Sequence, residues 1–83
     1  MKIQESINIC GILVQVADNY GEKITKRINA LDGVEVHGLS ADNRLVVTIE
    51  RDNQGDIMGV IDSFANIGGV LSTALVYQHS EEL

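Results

Sequence analysis

Hydrophobic positions divide the chain into four short runs, rich in β-branched residues, and two segments with helical spacing. The first run, INICGILVQV at residues 7–16, is followed by the polar sequence Ala17-Asp18-Asn19. A short apolar run bounded by turn residues predicts a strand buried on at least one face. Three further runs, at residues 34–39, 44–50 and 70–77, predict three more strands in the same way.

The segment after the first run predicts an amphipathic helix. Ile24, Ile28 and Leu31 recur at helical spacing, and charged residues occupy the positions between them. Asp18 or Asn19 can accept a hydrogen bond from the free N–H groups of a helix start, so we expect one of these side chains to cap it.

A second helix is predicted between the third and fourth strands. Asp52 or Asn53 is the expected cap, and Asp56 lies in the first turn, where the helix dipole favours a negative charge. Glycines end both helices, at Gly33 and at Gly68-Gly69. The apolar stripe of the second helix is formed by Ile57, Val60, Ile61, Phe64 and Ile67.

The resulting order is β-α-β-β-α-β, which is the split βαβ arrangement of the ferredoxin-like α+β fold. We therefore expect a four-stranded antiparallel sheet, with the first and third strands central and both helices on one face. Residues 1–83 are predicted to form one domain with its core at about residues 7–79. The polar lead-in at residues 1–6 and the acidic tail at residues 78–83 are expected to fray.

The alternation of side chains along each strand predicts which residues face the helices. The uniformly apolar sets are assigned to the helices: Cys10, Ile12, Val14 and Val16 in the first strand, and Leu45, Val47 and Ile49 in the third. The pattern of the last strand is ambiguous; placing Thr73, Leu75 and Tyr77 on the same side leaves Ser72, Ala74 and Val76 on the opposite side. The opposite, open side is then predicted to carry Ile9, Gly11, Leu13, Val46, Thr48, Ala74 and Val76, with Glu35 and Glu50 as an acidic rim.

An apolar strip on an uncovered sheet face is typical of an interaction site, and its small residues would let a helix or strand approach closely. The pattern alone leaves two other interpretations open. The face could be an ordinary half-exposed sheet surface, or it could be the interface of a homodimer.

Charge narrows the choice of partner. Six Lys and Arg residues stand against twelve Asp and Glu residues, giving a net charge of −6. This balance argues against nucleic acid and anionic membrane surfaces, and it suits a basic partner. The sequence has one cysteine, no apolar stretch long enough to cross a bilayer and no N-terminal pattern of a signal peptide, so we expect a cytoplasmic protein.

Candidate catalytic residues are few. His37 and His79 lack a carboxylate or thiol at a spacing that indicates a triad or a metal site, and Cys10 is assigned to the core. The glycines form no phosphate-binding motif. We therefore expect a protein that is not an enzyme and that uses no cofactor or metal.

Four stretches carry a resemblance to a known family. CGILVQV, INALDGVEV, RLVVTIE and GVLSTALVYQ, in this order and spacing, resemble NapD proteins over roughly residues 9–79. The resemblance implies a ferredoxin-like chaperone for the catalytic subunit of periplasmic nitrate reductase. Such a protein binds the twin-arginine signal peptide of the precursor and restrains export until cofactor insertion is complete.

This implied partner fits the predicted open face. The apolar strip would hold the apolar part of the signal peptide, and Glu35 and Glu50 would attract its arginines. By the alternation along its strand, Arg44 is also assigned to the open side. Its positive charge would repel the arginines of the peptide unless it pairs with Glu35 or with a carboxyl group of the peptide. The alternative functions are an ACT-like regulatory domain that binds a small molecule as a dimer, and a structural subunit that forms a permanent homodimer.

Overall fold

The computed structural model of the protein describes residues 6–82. Residues 1–5 of the predicted lead-in, and Leu83, lie outside the described residues. The elements follow the predicted order: β1 (Ser6–Val16), α1 (Gly21–Asn29), β2 (Val34–Leu39), β3 (Arg44–Arg51), α2 (Gln54–Phe64) and β4 (Val70–Glu82). In residues 6–82, no helix is long and apolar enough to span a membrane.

The strands form one antiparallel sheet in the order β2-β3-β1-β4. β1 and β3 are therefore central and β2 and β4 are at the edges, as the ferredoxin-like arrangement requires. The predicted α+β fold class is confirmed.

The core lies between the sheet and the two helices. Cross-strand pairs join Cys10 with Ile49, Ile12 with Val47, and Val14 with Leu45, and all of these residues are buried. Burial of this apolar surface is the main stabilising contribution to the fold. The helices contribute Ile24, Ile28, Ile57 and Phe64 to the same cluster, and Ile67, predicted on the stripe of the second helix, joins it from the connection that follows the end of α2 at Phe64.

The predicted start of α1 is wrong. The N-cap residue is Tyr20, while the Asp18 carboxylate accepts a hydrogen bond from Asn43 Nδ2 at 2.6 Å and so ties two loops together. Asn19 adopts a left-handed conformation with φ of 69°. The polar residues at this position therefore stabilise the loops rather than the helix end.

The end of α1 also differs from its pattern. The helix ends at Asn29, whose side-chain oxygen accepts a hydrogen bond from the backbone N–H of Val36 at 2.8 Å. Leu31 then lies in a turn and is exposed, so its assignment to the apolar stripe is wrong. Gly33 has φ of +73°, which a residue with a side chain adopts at a cost, and its carbonyl accepts a hydrogen bond from the backbone N–H of Glu50 in β3 at 2.8 Å.

The start of α2 agrees with the sequence. Asn53 is the N-cap residue, and its Oδ1 accepts a hydrogen bond from the backbone N–H of Gly55 at 2.7 Å. Asp56 lies in the first turn. After the helix, Gly69 has φ of +100° and directs the chain into β4.

β4 is longer than predicted. Residues 78–82, expected to fray, continue the strand and pair with residues 6–10 of β1. The polar sequence of these residues does not predict a strand, because the pairing is made by backbone groups and not by apolar side chains. The buried Asn8 side chain reinforces this end of the sheet, since its Nδ2 donates to the carbonyls of Arg51 at 3.2 Å and Asp52 at 3.0 Å, and its Oδ1 accepts from Ser80 Oγ at 2.7 Å.

Replacing Asn8 with alanine should lower the free energy of unfolding by about 1–3 kcal/mol, because buried hydrogen-bonding groups lose their partners. Chemical denaturation measures the change. The matched control is Ser80→Ala, which removes one of the three bonds and should cost less. Equal effects of the two substitutions would contradict the role assigned to Asn8.

Candidate functional site

The sheet surface opposite the helices, called here the open face, is organised by strand register. Leu13 pairs with Val46 on β3 and with Ala74 on β4. One step along the strands, Gly11 pairs with Thr48. Because paired residues point to the same side of a sheet, the structure brings these predicted residues together on the open face.

The middle of the open face is apolar and shallow. Ile9 and Leu13 are half-buried, Ala74 is exposed, and Val46 is 44% exposed. Beside them lies a depression of about 290 Å³ lined by Leu13, Gln15, Arg44, Ser72 and Ala74. An apolar surface of this shape suits the side chains of a peptide better than a small molecule that needs enclosure.

The assignment of Tyr77 to the helix side is wrong. Between the pairs Ile12–Leu75 and Gly11–Tyr77, β4 contains one more residue than β1, which reverses the alternation beyond this point. Tyr77 therefore lies on the open face, and its ring covers Gly11. A Cβ atom built on Gly11 would be 2.5 Å from Cδ1 of Tyr77 and closer still to Cε1.

Val76 is the extra residue at this irregularity. It is exposed and lies between Leu75 and Tyr77, beside the apolar strip rather than in a cross-strand pair with β1. Its membership of a binding surface stays a prediction, as do the binding roles of the other open-face residues.

The acidic rim lies near one end of the open face. Glu35 pairs with Thr48 and Glu50 pairs with Ile9, so the two glutamates are diagonal neighbours on β2 and β3. Diagonal positions in an antiparallel sheet are roughly 7–8 Å apart. Both residues are exposed. The side chain of His37 lies beside Glu35, with Nε2 at 2.7 Å from Thr48 Oγ1 and 3.4 Å from Glu35 Oε2.

Arg44 lies at the other end of the open face. Its Nη1 is 3.4 Å from Asp42 Oδ2, and its Nε donates to Gln15 Oε1 at 3.1 Å. Arg44 thus pairs with Asp42 and Gln15 rather than with Glu35, which is opposite Thr48, four positions along β3 from Arg44 and roughly 13 Å away.

Two ionisable side chains, Cys10 and Asp42, have shifted pKa values. Burial raises the pKa of the Cys10 thiol, so this core residue stays protonated at neutral pH and is a poor nucleophile. A hydrogen bond from Ser40 Oγ, aided by the nearby Arg44 charge, lowers the pKa of the Asp42 carboxyl below its ordinary value. Asp42 thus remains a charged partner for Arg44 at neutral pH.

Comparison with known proteins shows the family of the chain. A family described as NapD protein matches residues 7–82. The chain belongs to the NapD family. Its membership confirms the resemblance noted in the four sequence stretches.

Two solved structures resemble this NapD family member. The solution structure of the E. coli Tat proofreading chaperone protein NapD is 30% identical, with a TM-score of 0.79 over 86% of this chain and 76% of that chain. A crystal structure of a hypothetical protein from Pyrococcus horikoshii is 18% identical, with a TM-score of 0.73 over 92% of this chain and 90% of that chain, and it shows the fold alone. None of the curated proteins matches the chain.

The residue that sequence analysis missed in this NapD family member is Tyr77. Strict alternation could not place it, because the extra residue in β4 leaves no mark in the hydrophobic pattern. Gly11 is an indirect indication that a side chain packs over β1, because a glycine inside a strand often marks a position where another group approaches the backbone closely. The three aromatic side chains lie in different parts of the structure: Phe64 is in the core, Tyr20 packs against Gly69, and Tyr77 lies on the open face.

The assignment of faces can be tested at two adjacent residues. Val46→Asp places a charge on the exposed side of β3 and should change the free energy of unfolding by about 1 kcal/mol, the span of strand propensities. Val47→Asp buries the same charge in the core, where Val47 is 0% exposed, and should prevent folding. Circular dichroism and chemical denaturation distinguish them. Unfolding of the Val46 variant would mean that the two faces are reversed.

Proposed function

We propose that this protein is a cytoplasmic chaperone that binds the twin-arginine signal peptide of the periplasmic nitrate reductase catalytic subunit. By holding the peptide it restrains export until cofactor insertion and maturation are complete. It acts as a binding protein and not as an enzyme. The observation that carries the proposal is an apolar strip, bordered by two glutamates, on the open face of a NapD family member.

The charges of the protein complement those of such a peptide. A twin-arginine signal has two adjacent cations followed by an apolar stretch. The chain has a net charge of −6, and the exposed carboxylates of Glu35 and Glu50 lie at one end of the strip. Long-range attraction would steer the arginines towards this end, and burial of apolar side chains would then retain the peptide.

The shape of the open face favours a helical peptide. From Ile9 to Gln15 the face extends about 20 Å along β1, which corresponds to about 13 residues of an α-helix. The small side chain of Ala74 lets the peptide approach the sheet closely, and Val46 and Leu13 provide apolar contacts, whereas Gly11 is covered by the ring of Tyr77. Addition of the peptide as an edge strand is less favourable because β2 and β4 both contain an irregularity that interrupts a continuous ladder.

The opposite charges at the two ends of the open face favour one orientation of the bound peptide. Its arginines would lie near Glu35 and Glu50, and its apolar part would extend over Leu13 and Val46 towards Arg44. A cation at that end would interact favourably with the C-terminal dipole of a bound helix. Arg44 would therefore support binding of the far end of the peptide rather than oppose the arginines.

Calorimetric titration with a synthetic twin-arginine signal peptide tests the proposal. We expect binding that weakens when both arginines are replaced by glutamine, because the acidic rim then loses its partners. Equal binding of both peptides would still support the chaperone function, but it would show that the apolar strip, and not the acidic rim, recognises the peptide. Absence of binding to either peptide, together with a dimeric mass in solution, would contradict the proposal and favour the regulatory-domain alternative.

Reversal of charge at the rim tests its role in association. Glu50→Lys should slow association with the arginine peptide by roughly tenfold at low salt and flatten the salt dependence of the rate. Stopped-flow measurement at several salt concentrations checks this.

The matched control is Asp62→Lys, which makes the same change of net charge on the exposed side of α2. Its effect should be smaller than that of Glu50→Lys. If both substitutions change the rate equally, steering depends on net charge, and the specific role of Glu50 is wrong.

A further inference from the structure

An exposed aromatic ring lies next to the acidic end of the open face. The ring of Tyr77 covers Gly11, which is buried, while Tyr77 itself is 48% exposed. The ring is therefore supported from below by the backbone of β1 and remains available to a ligand above the sheet.

The position of this ring requires two features of the chain. The extra residue between Leu75 and Tyr77 turns Tyr77 to the open face, and the missing side chain at Gly11 leaves the space that the ring occupies. Any larger residue at position 11 would displace the ring. The two features together give the open face a flat aromatic surface that neither strand would provide alone.

One carboxylate, Glu50, lies near the ring on the β3 side, and on the β4 side His79, two residues after Tyr77, pairs with Ile9. On β1, Gly11 is two residues from Ile9, and Ile9 pairs with Glu50. Glu50 is thus a diagonal neighbour of the position that the Tyr77 ring covers, within reach of a long side chain that extends between them. Thr48, which pairs with Gly11, contributes a hydroxyl on the same row.

An aromatic face beside a carboxylate is a site for a guanidinium group. The planar arginine side chain stacks on an aromatic ring and at the same time donates paired hydrogen bonds to a carboxylate. A lysine ammonium attracts the carboxylate but has no plane to stack. The site should therefore distinguish arginine from lysine, which a purely electrostatic rim would not do.

We propose that Tyr77, seated on Gly11, is the stacking site for one guanidinium of the arginine pair of the bound peptide, with Glu50 as the carboxylate partner. This inference rests on the proposed function and specifies how the arginines are recognised. It makes Tyr77 a specificity-determining residue that binds the ligand directly. The competing role for Tyr77 is apolar packing against the hydrophobic part of the peptide.

Peptide variants separate the two roles of Tyr77. Calorimetry is performed with peptides whose arginine pair is kept, replaced by two lysines, or replaced by two glutamines. Tyr77→Leu should weaken binding of the arginine peptide by about 3- to 30-fold, the range of a cation–π contact between exposed and desolvated sites. It should weaken the lysine peptide less and leave the glutamine peptide unchanged, while Tyr77→Phe retains the arginine preference.

A control on the same strand tests specificity. Leu75 is also exposed but pairs with Ile12 and lies on the helix side, so Leu75→Ala should not change the affinity for any of the three peptides. Chemical denaturation of each variant verifies that it is folded.

A second measurement reports on the ring itself. The sequence has two tyrosines, so in a Tyr20→Phe background the tyrosine ring signals in the NMR spectrum belong to Tyr77. The arginine peptide should shift these signals more than the glutamine peptide does. Gly11→Ala, which displaces the ring, should weaken binding of the arginine peptide, and it should do so less when Tyr77 is already replaced by alanine.

The outcomes distinguish this inference from the proposed function. If the wild-type protein prefers the arginine peptide and Tyr77→Leu keeps that preference in full, the stacking site is wrong and the chaperone function stands. If Tyr77→Leu weakens all three peptides equally, Tyr77 packs against the apolar segment and the inference is overturned. If the wild-type protein binds none of the peptides, the proposed function fails and the inference fails with it.

Discussion

The alternation of side chains along β1 is the constraint on which the rest of the structure depends. One set of its residues, which includes Cys10, Ile12 and Val14, is buried against the helices, and the other set, which includes Gly11 and Leu13, lies on the open face. β1 pairs with both β3 and β4, so its register fixes the register of its neighbours. A shift of one residue would expose the core set and bury the other. Stability and the candidate binding surface are therefore determined by the same pairing.

The edge strands modify this regular arrangement at the places where the open face gains its polar and aromatic groups. In β2 the extra residue is His37, whose ring contacts Thr48 and lies near Glu35. In β4 the extra residue turns Tyr77 to the open face. Interruptions of this kind also make an edge a poorer template for another strand. The same irregularities that shape the open face thus favour a ligand that lies across the sheet over one that extends it.

Much of this architecture could be predicted from the sequence because the core obeys simple periodicities. The apolar sets of β1 and β3, the stripe of α2 and the Asn53 cap all follow from local chemistry, and they fix the order of the elements and the side of the sheet that the helices cover. The polar sequence of residues 78–82 does not predict a strand, because the backbone hydrogen bonds that hold them to β1 need no apolar side chains. Strict alternation predicts the wrong side for Tyr77, because an extra residue in an edge strand depends on pairing partners more than 60 positions away. Asp18 and Asn19 have the chemistry of a helix cap, but a contact with Asn43 places Asp18 in a loop network instead.

The most direct measurement of the central claim is an NMR titration of the isotope-labelled protein with a synthetic twin-arginine signal peptide. The account predicts that the signals of Ile9, Leu13, Val46 and Ala74 on the open face shift on binding, while those of the exposed sides of α1 and α2 do not. Shifts confined to the helices, or to the outer edge of β2 or β4, would contradict the claim that the open face is the binding surface.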